Sequence, residues 1–325
     1  MRPLLKWAGG KRQLLPALEP YYPQSFQRYL EPFVGSGAVF FHLAATGVLD
    51  GRAVTLSDVN ADLIGCYRTV RDRTEAVIGA LQDLQREHRR RGDACYYEVR
   101  DERFNPARAK LAGAPSGRAA DGYSPALAAM LIFLNRTGFN GLFRVNRQGA
   151  FNVPAGRYKD PRICDPDHIR AVADVLRRPG LAIEHRSFEA ALGDAGPGDF
   201  VYCDPPYAPL SRTANFANYT AAGFAAMDQQ RLLEAVVRAC RRGAHVVMSN
   251  SSAPEIESAY QTRAARRAKI AVHRVAARRA INSRGTARGP VDELIITNVR
   301  AAALASVRPR MAKASGVRPK AQGLA

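Results

Sequence analysis

The chain has 325 residues, 46% of them hydrophobic, which is enough for one large α/β core with a smaller inserted domain. Its 48 Lys and Arg residues against 29 Asp and Glu give a formal charge of +19, which favours a polyanionic partner, with nucleic acid as the first candidate. No apolar run approaches the roughly 18 residues of a membrane span, no secretion signal is evident, and five scattered cysteines form no CxxC pair, so we expect a cytoplasmic protein without a disulfide framework or thiolate metal site.

The first sixty residues predict the opening of a Rossmann-like sheet. After a loop and a helix, RYLEPF predicts a strand that runs into the Gly-rich turn VGSG, and AVFFHLAA predicts the helix that follows. AVTLSDVN then predicts a second strand, ending at Asp58. The succession of strand, tight turn, helix and strand is typical of α/β folds with a parallel sheet.

Residues 61–160 predict a mostly helical insertion. Val77, Leu81 and Leu84 recur at helical spacing, and Ser124 followed by a proline predicts the start of a later helix.

Two segments of this insertion carry few helix signals. Residues 111–122 are rich in Ala, Gly and Pro, and predict a flexible loop. In residues 135–162 six basic residues stand against one acid, with Gly, Asn and aromatic residues between them. We expect a loop or short hairpin there, suited to contacting nucleic acid.

The α/β pattern resumes after residue 162. DFVYCDPPY predicts a strand that enters a double-proline turn, and HVVMSN and VDELIITNV predict two further strands. Between DFVYC and HVVMSN, Asp228 predicts the start of a helix and Gly243 predicts its end. Residues 261–290 hold nine Lys or Arg and no acid, and the basic tail at 301–325 predicts disorder.

The turn Asp204-Pro205-Pro206-Tyr207 is a candidate site of chemistry, because ligands of α/β sheets bind at strand ends. The prolines make the turn rigid and donate no N–H, so it presents hydrogen-bond acceptors, as an amine substrate requires. Asp204 and the carbonyl of Pro205 can accept hydrogen bonds from both N–H groups of an amine, which frees the lone pair of its nitrogen. Tyr207 can stack on an aromatic ring. An ordinary turn at a strand end has the same residue types.

The segment EPFVGSG at 31–37 predicts a cofactor-binding turn, because Gly35 and Gly37 let a ligand approach the backbone closely. Asp58 stands 21 residues after Gly37, where an acid can bind ribose hydroxyls. Phe40 replaces the third glycine of a dinucleotide fingerprint, which disfavours a nicotinamide enzyme and leaves an adenosine-bearing ligand such as S-adenosylmethionine. A lone GxG more often marks an ordinary turn.

Several segments together resemble the Dam-type DNA adenine-N6 methyltransferases of the D12 class. They are KWAGGK at 6–11, EPFVGSG at 31–37, SDVNADLI at 57–64, LNRTGFNGLFRVNRQGAFNVPAGRYK at 134–159, VYCDPPYAPLS at 201–211 and RRAINSRGTARGPVDELI at 278–295. The resemblance covers about residues 3–300 and keeps the family order: cofactor motif, target-recognition region, then DPPY.

The resemblance implies a site-specific enzyme that transfers a methyl group from S-adenosylmethionine to N6 of an adenine flipped out of a GATC site in double-stranded DNA. It implies no metal, and we expect a nucleoid-associated monomer. The catalytic residues it implies are Asp204, Pro205, Pro206 and Tyr207. The cofactor-binding residues are Trp7, Lys11, Glu31, Phe33, Gly35, Gly37, Asp58 and Asp204. The DNA-binding residues are Lys6, Phe139, Asn140, Leu142, Arg144, Pro154 and Tyr158.

The corresponding domain division assigns 1–60 and 161–300 to a catalytic domain with a Rossmann-like methyltransferase sheet. It assigns 61–160 to DNA target recognition, and 301–325 to the tail. Phe139 stands where well-studied members carry a tyrosine that inserts beside the flipped base, so stacking is expected there without a hydroxyl contact.

Each DNA-contact residue also has a simpler interpretation. Arg144 can pair with guanine in the major groove or be a solvated charge, and Asn140 can merely tolerate a turn. Phe139 and Leu142 can fill the gap left by a flipped base or belong to the core.

Two other classes of protein are disfavoured. An RNA adenine methyltransferase shares the DPPY chemistry, but residues 134–159 resemble a DNA-reading hairpin. A non-catalytic nucleic-acid-binding protein shares the charge, but here the acid of DPPY and the Gly-rich turn are both intact. A basic protein can also bind a membrane surface, although no basic amphipathic helix with a large aromatic face is evident.

Overall fold

The computed structural model describes residues 1–7, 11–112, 119–207, 224–278 and 290–302. The strands within these ranges are β1 (Arg28–Glu31), β2 (Ala53–Asp58), β3 (Leu181–His185), β4 (Asp199–Cys203), β5 (His245–Ser251), β6 (Ala271–Arg278) and β7 (Pro290–Thr297). The α-helices are α1 (Leu15–Leu18), α2 (Ala38–Ala45), α3 (Ala61–Asp72), α4 (Thr74–Arg91), α5 (Asp93–Glu98), α6 (Asn105–Ala112), α7 (Pro125–Thr137), α8 (Pro166–Leu176), α9 (Phe188–Gly193), α10 (Ala226–Arg241), α11 (Pro254–Tyr260) and α12 (Arg263–Arg267). A π-helical stretch, Val99–Phe104, joins α5 to α6.

The strands form one sheet in the order β3-β2-β1-β4-β5-β7-β6. Strands β1 to β5 pair in parallel, whereas β7 runs antiparallel to both β5 and β6. The chain order reverses between β1 and β4, because β2 and β3 lie on one side of β1 while β4 and β5 lie on the other. Ligands of open α/β sheets bind at such a switch point, beyond the carboxyl ends of the strands. The predicted Rossmann-like sheet is confirmed.

Helices cover both faces of the sheet, because successive residues of a strand point to opposite faces. In β4, Phe200 and Tyr202 pack into one core, whereas Val201 and Cys203 pack into the other. The first core includes buried residues of α2, α3, α4, α7 and α8, and the second includes those of α9, α10 and α11. The helices of 61–160 therefore share a continuous core with the sheet, and their separation as a recognition domain stays a prediction.

Several predicted elements are confirmed. The Gly-rich turn after β1 leads into α2, and the three periodic residues of α4, Val77, Leu81 and Leu84, are buried. Ser124 caps α7 by accepting the backbone N–H of Leu127 at 3.2 Å. The predicted strands at DFVYC, HVVMSN and VDELIIT correspond to β4, β5 and β7.

Two predicted boundaries are wrong. Helix α6 continues to Ala112, so the loop expected at 111–122 starts later, and its middle lies outside the described residues. Helix α10 begins two residues before Asp228, whose carboxylate accepts the backbone N–H of Ala225 at 2.7 Å from within the first turn. An acid is favourable in either position because the helix N-terminus carries partial positive charge.

Strand β6 was not predicted, because its segment of the sequence is rich in basic residues. It lies at the edge of the sheet and pairs with β7 along its length, where His273 is half-buried and Arg274 is exposed. Most of the predicted disordered tail, 303–325, lies outside the described residues. In the described ranges no helix has both the length and the apolarity that crossing a membrane requires.

Residues 143–152 form the short hairpin that the sequence allows. A bridge joins Val145 to Phe151. Asn105 of α6 accepts the backbone N–H of Phe151 at 2.8 Å and donates to its carbonyl at 3.0 Å. The helical insertion therefore supports the hairpin from behind.

Candidate active site and nucleic-acid interface

A cavity of about 490 Å³ lies at the switch point of the sheet. Glu31 and Asp58 are the last residues of β1 and β2, and β4 leads directly into Asp204. Because the parallel strands end at one edge, three carboxyl groups from distant parts of the chain meet around this cavity. The predicted site residues that line it are Trp7, Lys11, Glu31, Phe33, Gly35, Asp58, Asp204, Pro205, Pro206 and Tyr207. Gly37, the N-cap of α2, is not among the lining residues.

The Gly-rich turn and the N-terminal segment make one wall together. Gly35 has φ +45°, and a Cβ there would lie 3.1 Å from Cδ1 of Trp7, so glycine permits both the turn and the close contact. The Trp7 ring also stacks on Phe143 of the hairpin, with centroids 5.4 Å apart and planes 21° apart. The cavity wall and the hairpin are therefore in direct contact through Trp7.

Glu31 and Asp58 have raised pKa values because of burial. Glu31 is 2% exposed and accepts the hydroxyl of Tyr29 at 2.7 Å, and burial raises its pKa to about 8. Asp58 accepts the backbone N–H groups of Gly35 and Asn60 at 3.2 and 3.0 Å, and burial raises its pKa to about 6. These environments disfavour uncompensated negative charge, so a cationic or hydroxyl-bearing ligand would stabilise both carboxylates.

Asp204 lies against a buried lysine. Lys11 is 4% exposed, and its Nζ lies 2.8 Å from Oδ1 of Asp204. Ser249 donates a hydrogen bond to the same oxygen at 2.9 Å. Burial raises the pKa of Asp204, while Lys11 and Ser249 oppose that rise. The carboxylate keeps 22% exposure and can accept further N–H groups from the cavity, because each of its oxygens offers two lone pairs.

The turn after Asp204 is anchored at three further points. Gln229 donates to the carbonyl of Pro206 at 3.1 Å, and the hydroxyl of Tyr207 donates to Glu293 at 2.7 Å. Nζ of Lys11 lies 4.4 Å from the centroid of the Tyr207 ring. The rigidity that the two prolines predict is thus reinforced by side chains from other elements.

Another part of the cavity is aromatic. Phe33 stacks on Phe188 with centroids 5.3 Å apart, and Phe224 meets Phe33 edge-on at 6.1 Å. All three side chains line the cavity. An apolar, planar ring fits such a surface.

Six of the seven predicted DNA-contact residues lie together beside the hairpin, and we call them the loop surface. They are Lys6, Phe139, Asn140, Leu142, Pro154 and Tyr158. Nζ of Lys6 lies 4.9 Å from the Tyr158 ring centroid, and the N–H of Phe139 donates to the Pro154 carbonyl at 2.9 Å. Gly141, at φ +64°, makes room for the stem of Lys6, since a Cβ there would lie 2.6 Å from its Cβ.

The simpler interpretations of these residues fare differently. Phe139 is 46% exposed, so it is not a core residue, whereas Leu142 is half-buried and packs against the core. Asn140 is exposed at φ +54°, a conformation that asparagine tolerates better than most residues, and this fits both a turn and a contact role.

Four exposed basic residues, which we call the basic patch, lie on or near the hairpin: Arg144, Arg147, Arg157 and Lys159. None of them forms an ion pair with a residue that the structure describes. Arg144 donates from Nε to the side-chain oxygen of Asn152 at 2.8 Å and from Nη2 to the Asn152 carbonyl at 3.2 Å. These bonds orient the guanidinium and leave further N–H donors on its terminal nitrogens. The basic patch is therefore free to meet phosphates or base edges.

Sequence reasoning missed several residues that position the site. Ser249 binds Asp204, and Asn135 exchanges hydrogen bonds with the backbone of Lys6 at 2.8 Å in both directions and donates to the Gly141 carbonyl at 2.9 Å. Asn135 is 2% exposed. The available signal was a polar residue that follows the apolar run ALAAMLIFL in the last turn of α7.

No metal site is evident in the part of the chain that the structure describes: no three or more His, Cys, Asp or Glu side chains are grouped to hold an ion. The cavity instead combines carboxyl groups, one lysine and aromatic rings.

Comparison with known proteins identifies the family. Residues 7–281 match the D12 class N6 adenine-specific DNA methyltransferases. The Type II methyltransferase M1.LlaDCHI of Lactococcus lactis subsp. cremoris is 37% identical over 298 residues, covering 92% of this chain and 95% of its own. The DNA adenine methylase of Escherichia coli strain K12 is 36% identical over 294 residues, covering 90% and 94%.

Among solved structures, the rRNA methyltransferase aviRa from Streptomyces viridochromogenes aligns with a TM-score of 0.33 and 15% identity over 91% of this chain and 90% of that one, which is too distant to carry an argument. The family match and the sequence relatives both span most of the chain. This protein therefore belongs to the D12 class N6 adenine-specific DNA methyltransferases, and it is an adenine-specific DNA methyltransferase that uses a methyl donor of the S-adenosylmethionine type.

Proposed function

We propose that this enzyme binds double-stranded DNA as a monomer, flips the adenine of GATC into the cavity, and methylates its N6 from S-adenosylmethionine. One observation carries this proposal. A single N-terminal segment holds Lys6 on the loop surface, Trp7 between the hairpin and the Gly-rich turn, and Lys11 against Asp204. A base that leaves the duplex at the loop surface therefore has the cavity beside it.

The cavity volume of about 490 Å³ lies in the usual range for a small-molecule site, and the lining suits the chemistry of S-adenosylmethionine. Its aromatic part offers Phe33 for stacking on the adenine ring, and Asp58 is placed to accept ribose hydroxyls beside the backbone of Gly35. Glu31 and the neighbouring acids favour a ligand with positive charge. The bound donor supplies a methyl group on a sulfonium, which is already activated.

Asp204 acts on the substrate amine. An adenine amine is a weak nucleophile because its lone pair is delocalised into the ring. The Asp204 carboxylate and the carbonyl of Pro205 accept hydrogen bonds from its two N–H groups. These bonds make the nitrogen more tetrahedral and its lone pair available. Lys11 and Ser249 hold the carboxylate in place, and the Tyr207 ring stacks on the base.

Sequence readout comes from the loop surface and Arg144. Phe139, exposed and fixed by its backbone bond to Pro154, fills the gap that the flipped base leaves. Arg144, oriented by Asn152, donates two hydrogen bonds to O6 and N7 of the guanine paired with the terminal cytosine of GATC. This assigns 61–160 to target recognition, 1–60 and 161–300 to catalysis, and leaves 301–325 as a basic tail.

The first test compares duplexes. With labelled S-adenosylmethionine, we expect label at adenine N6 in a GATC duplex, and about ten- to a hundredfold less with one base pair of the site substituted, since each lost base contact costs roughly 1–3 kcal/mol. With 2-aminopurine in place of the target adenine, we expect fluorescence to rise on binding, because flipping unstacks the base. Equal labelling of both duplexes contradicts GATC readout, and unchanged fluorescence contradicts flipping.

A second test uses two arginines of the same hairpin. Arg144→Ala should relax preference at the outer base pair by about ten- to a hundredfold in kcat/KM, while leaving preference at the target adenine. Arg147→Ala is the matched control, because Arg147 is also exposed but has no orienting partner among the described residues, so its loss should leave base preference unchanged. If Arg144→Ala slows every duplex by one factor, Arg144 contacts the backbone rather than a base.

A further inference from the structure

Glu293 reaches the active site from a strand far along the chain. Its Oε2 accepts the hydroxyl of Tyr207 at 2.7 Å, across 86 residues of sequence. Because β7 is antiparallel to its neighbours, its first residues lie at the edge where the parallel strands end. The reversal of this one strand therefore brings a carboxylate to the DPPY turn.

The two strands beyond β4 support the turn in the same way. Ser249 of β5 donates to Asp204, and Glu293 of β7 accepts from Tyr207. In the β5–β7 pairing Ser249 lies opposite Ile295 and Ser251 lies opposite Glu293, so these side chains share one face of the sheet. Each end of the four-residue turn thus has its own partner strand.

The contacts of Tyr207 fix its ring. The ring can pivot about its first side-chain bond unless its far end is held. Glu293 holds the hydroxyl with a charge-assisted hydrogen bond, a stronger kind than a bond between neutral groups. The Lys11 ammonium lies over one face of the ring. With the edge and one face held, the ring plane is set and a base can stack only on the remaining face.

We propose that Glu293 is a positioning residue for methyl transfer: it holds the Tyr207 phenol so that the ring stacks on the target adenine with its N6 at Asp204. Glu293 acts through Tyr207 and touches neither substrate nor cofactor. This inference rests on the proposed stacking role of Tyr207 and gives a role to a residue to which the family resemblance assigned none.

A double-mutant cycle tests the inference, with kcat and both KM values measured for each variant. We expect Glu293→Ala to lower kcat by roughly tenfold and to leave the KM for the methyl donor within about twofold, because the lost bond orients the base and not the cofactor. Tyr207→Phe removes the same bond from its other end and should lower kcat similarly. Adding Glu293→Ala to Tyr207→Phe should cost nothing further.

Two controls separate positioning from folding. Glu293→Gln keeps an acceptor oxygen and should recover most of the lost kcat. Asp292→Ala, the exposed neighbour on the same strand, should behave as wild type. If Glu293→Ala fails to fold, Tyr207→Phe and Glu293→Gln still decide the question, since positioning requires the first to be slow and the second to be active.

The outcomes also separate this inference from the proposed function. If Tyr207→Ala keeps normal kcat, Tyr207 does not stack and the proposed role of the turn fails. If Tyr207→Ala is slow while Glu293→Ala has a normal kcat, only the positioning role is overturned. The same holds if Glu293→Ala lowers the kcat of the Tyr207→Phe variant by the same factor as that of wild type.

Discussion

Glu31→Gln should change how the stability of the protein depends on pH. Glu31 is 2% exposed, and burial raises its pKa to about 8 from an ordinary value of about 4.5. Between these values the folded state binds more protons than the unfolded state, so the wild-type free energy of unfolding falls as pH rises. At about 1.4 kcal/mol per pKa unit, the Glu31 contribution to that fall is about 3 kcal/mol between roughly pH 5.5 and 8.5.

The assay is urea unfolding without cofactor at several values of pH across that window. Glutamine keeps the size of the side chain and an acceptor for Tyr29, but it has no proton to lose, so the variant should lack this part of the slope. The variant should gain on wild type as pH rises. Asp167→Asn is the control, because its side chain is 97% exposed and should give parallel curves. A constant difference between Glu31→Gln and wild type across the window would refute the assignment of the raised pKa to Glu31.

Three further predictions follow from the site. Asp204→Ala should lower kcat by at least about a hundredfold while changing the Kd for duplex DNA by less than about threefold, since duplex affinity comes mainly from phosphate contacts; near-normal kcat would show that Asp204 does not act on the amine. Gly35→Ala should weaken binding of the methyl donor roughly tenfold as measured by calorimetry, because a Cβ there would lie 3.1 Å from Trp7 at a left-handed φ. Gly51→Ala is the control, since Gly51 also has a positive φ but open space around it. Equal weakening in both variants would show that the Trp7 contact is not the cause. The three residues of the basic patch other than Arg144 should contribute about −2 to −3 to the slope of log K against log salt, and a flat dependence would show that they are only solvated surface.

Local sequence patterns predicted the elements that line the cavity. The acid at the end of β2, the Gly-rich turn before α2 and the DPPY turn after β4 can each be recognised within a few residues, because a strand end, a positive φ and a rigid turn are local features. Their meeting around one cavity followed from the switch-point rule for parallel strands. The assignment of Asp204 and Asp58 to this cavity therefore needed no three-dimensional information beyond the fold class.

Positioning residues could not be predicted in the same way, because their partners are distant in sequence. Ser249 and Glu293 are ordinary polar residues of apolar strands until β5 and β7 place them beside the DPPY turn. Asn135 is linked to Lys6 across 129 residues. Strand β6 was missed for a related reason: its pairing with β7 stabilises a sequence whose charges and alanines do not predict a strand.

The distribution of charge resolves an apparent conflict in the composition. A chain with a formal charge of +19 attracts DNA but repels a cationic methyl donor. The described residues that line the cavity include five acids, Glu31, Asp58, Glu189, Asp204 and Asp228, against two bases, Lys11 and Arg231. Positive charge without acidic partners is found instead in the basic patch beside the hairpin. Trp7 joins the cavity wall to the hairpin, so the acidic cavity and the basic patch lie on either side of one short segment. Under the proposed function, the methyl donor is therefore attracted to one side of that segment and DNA to the other.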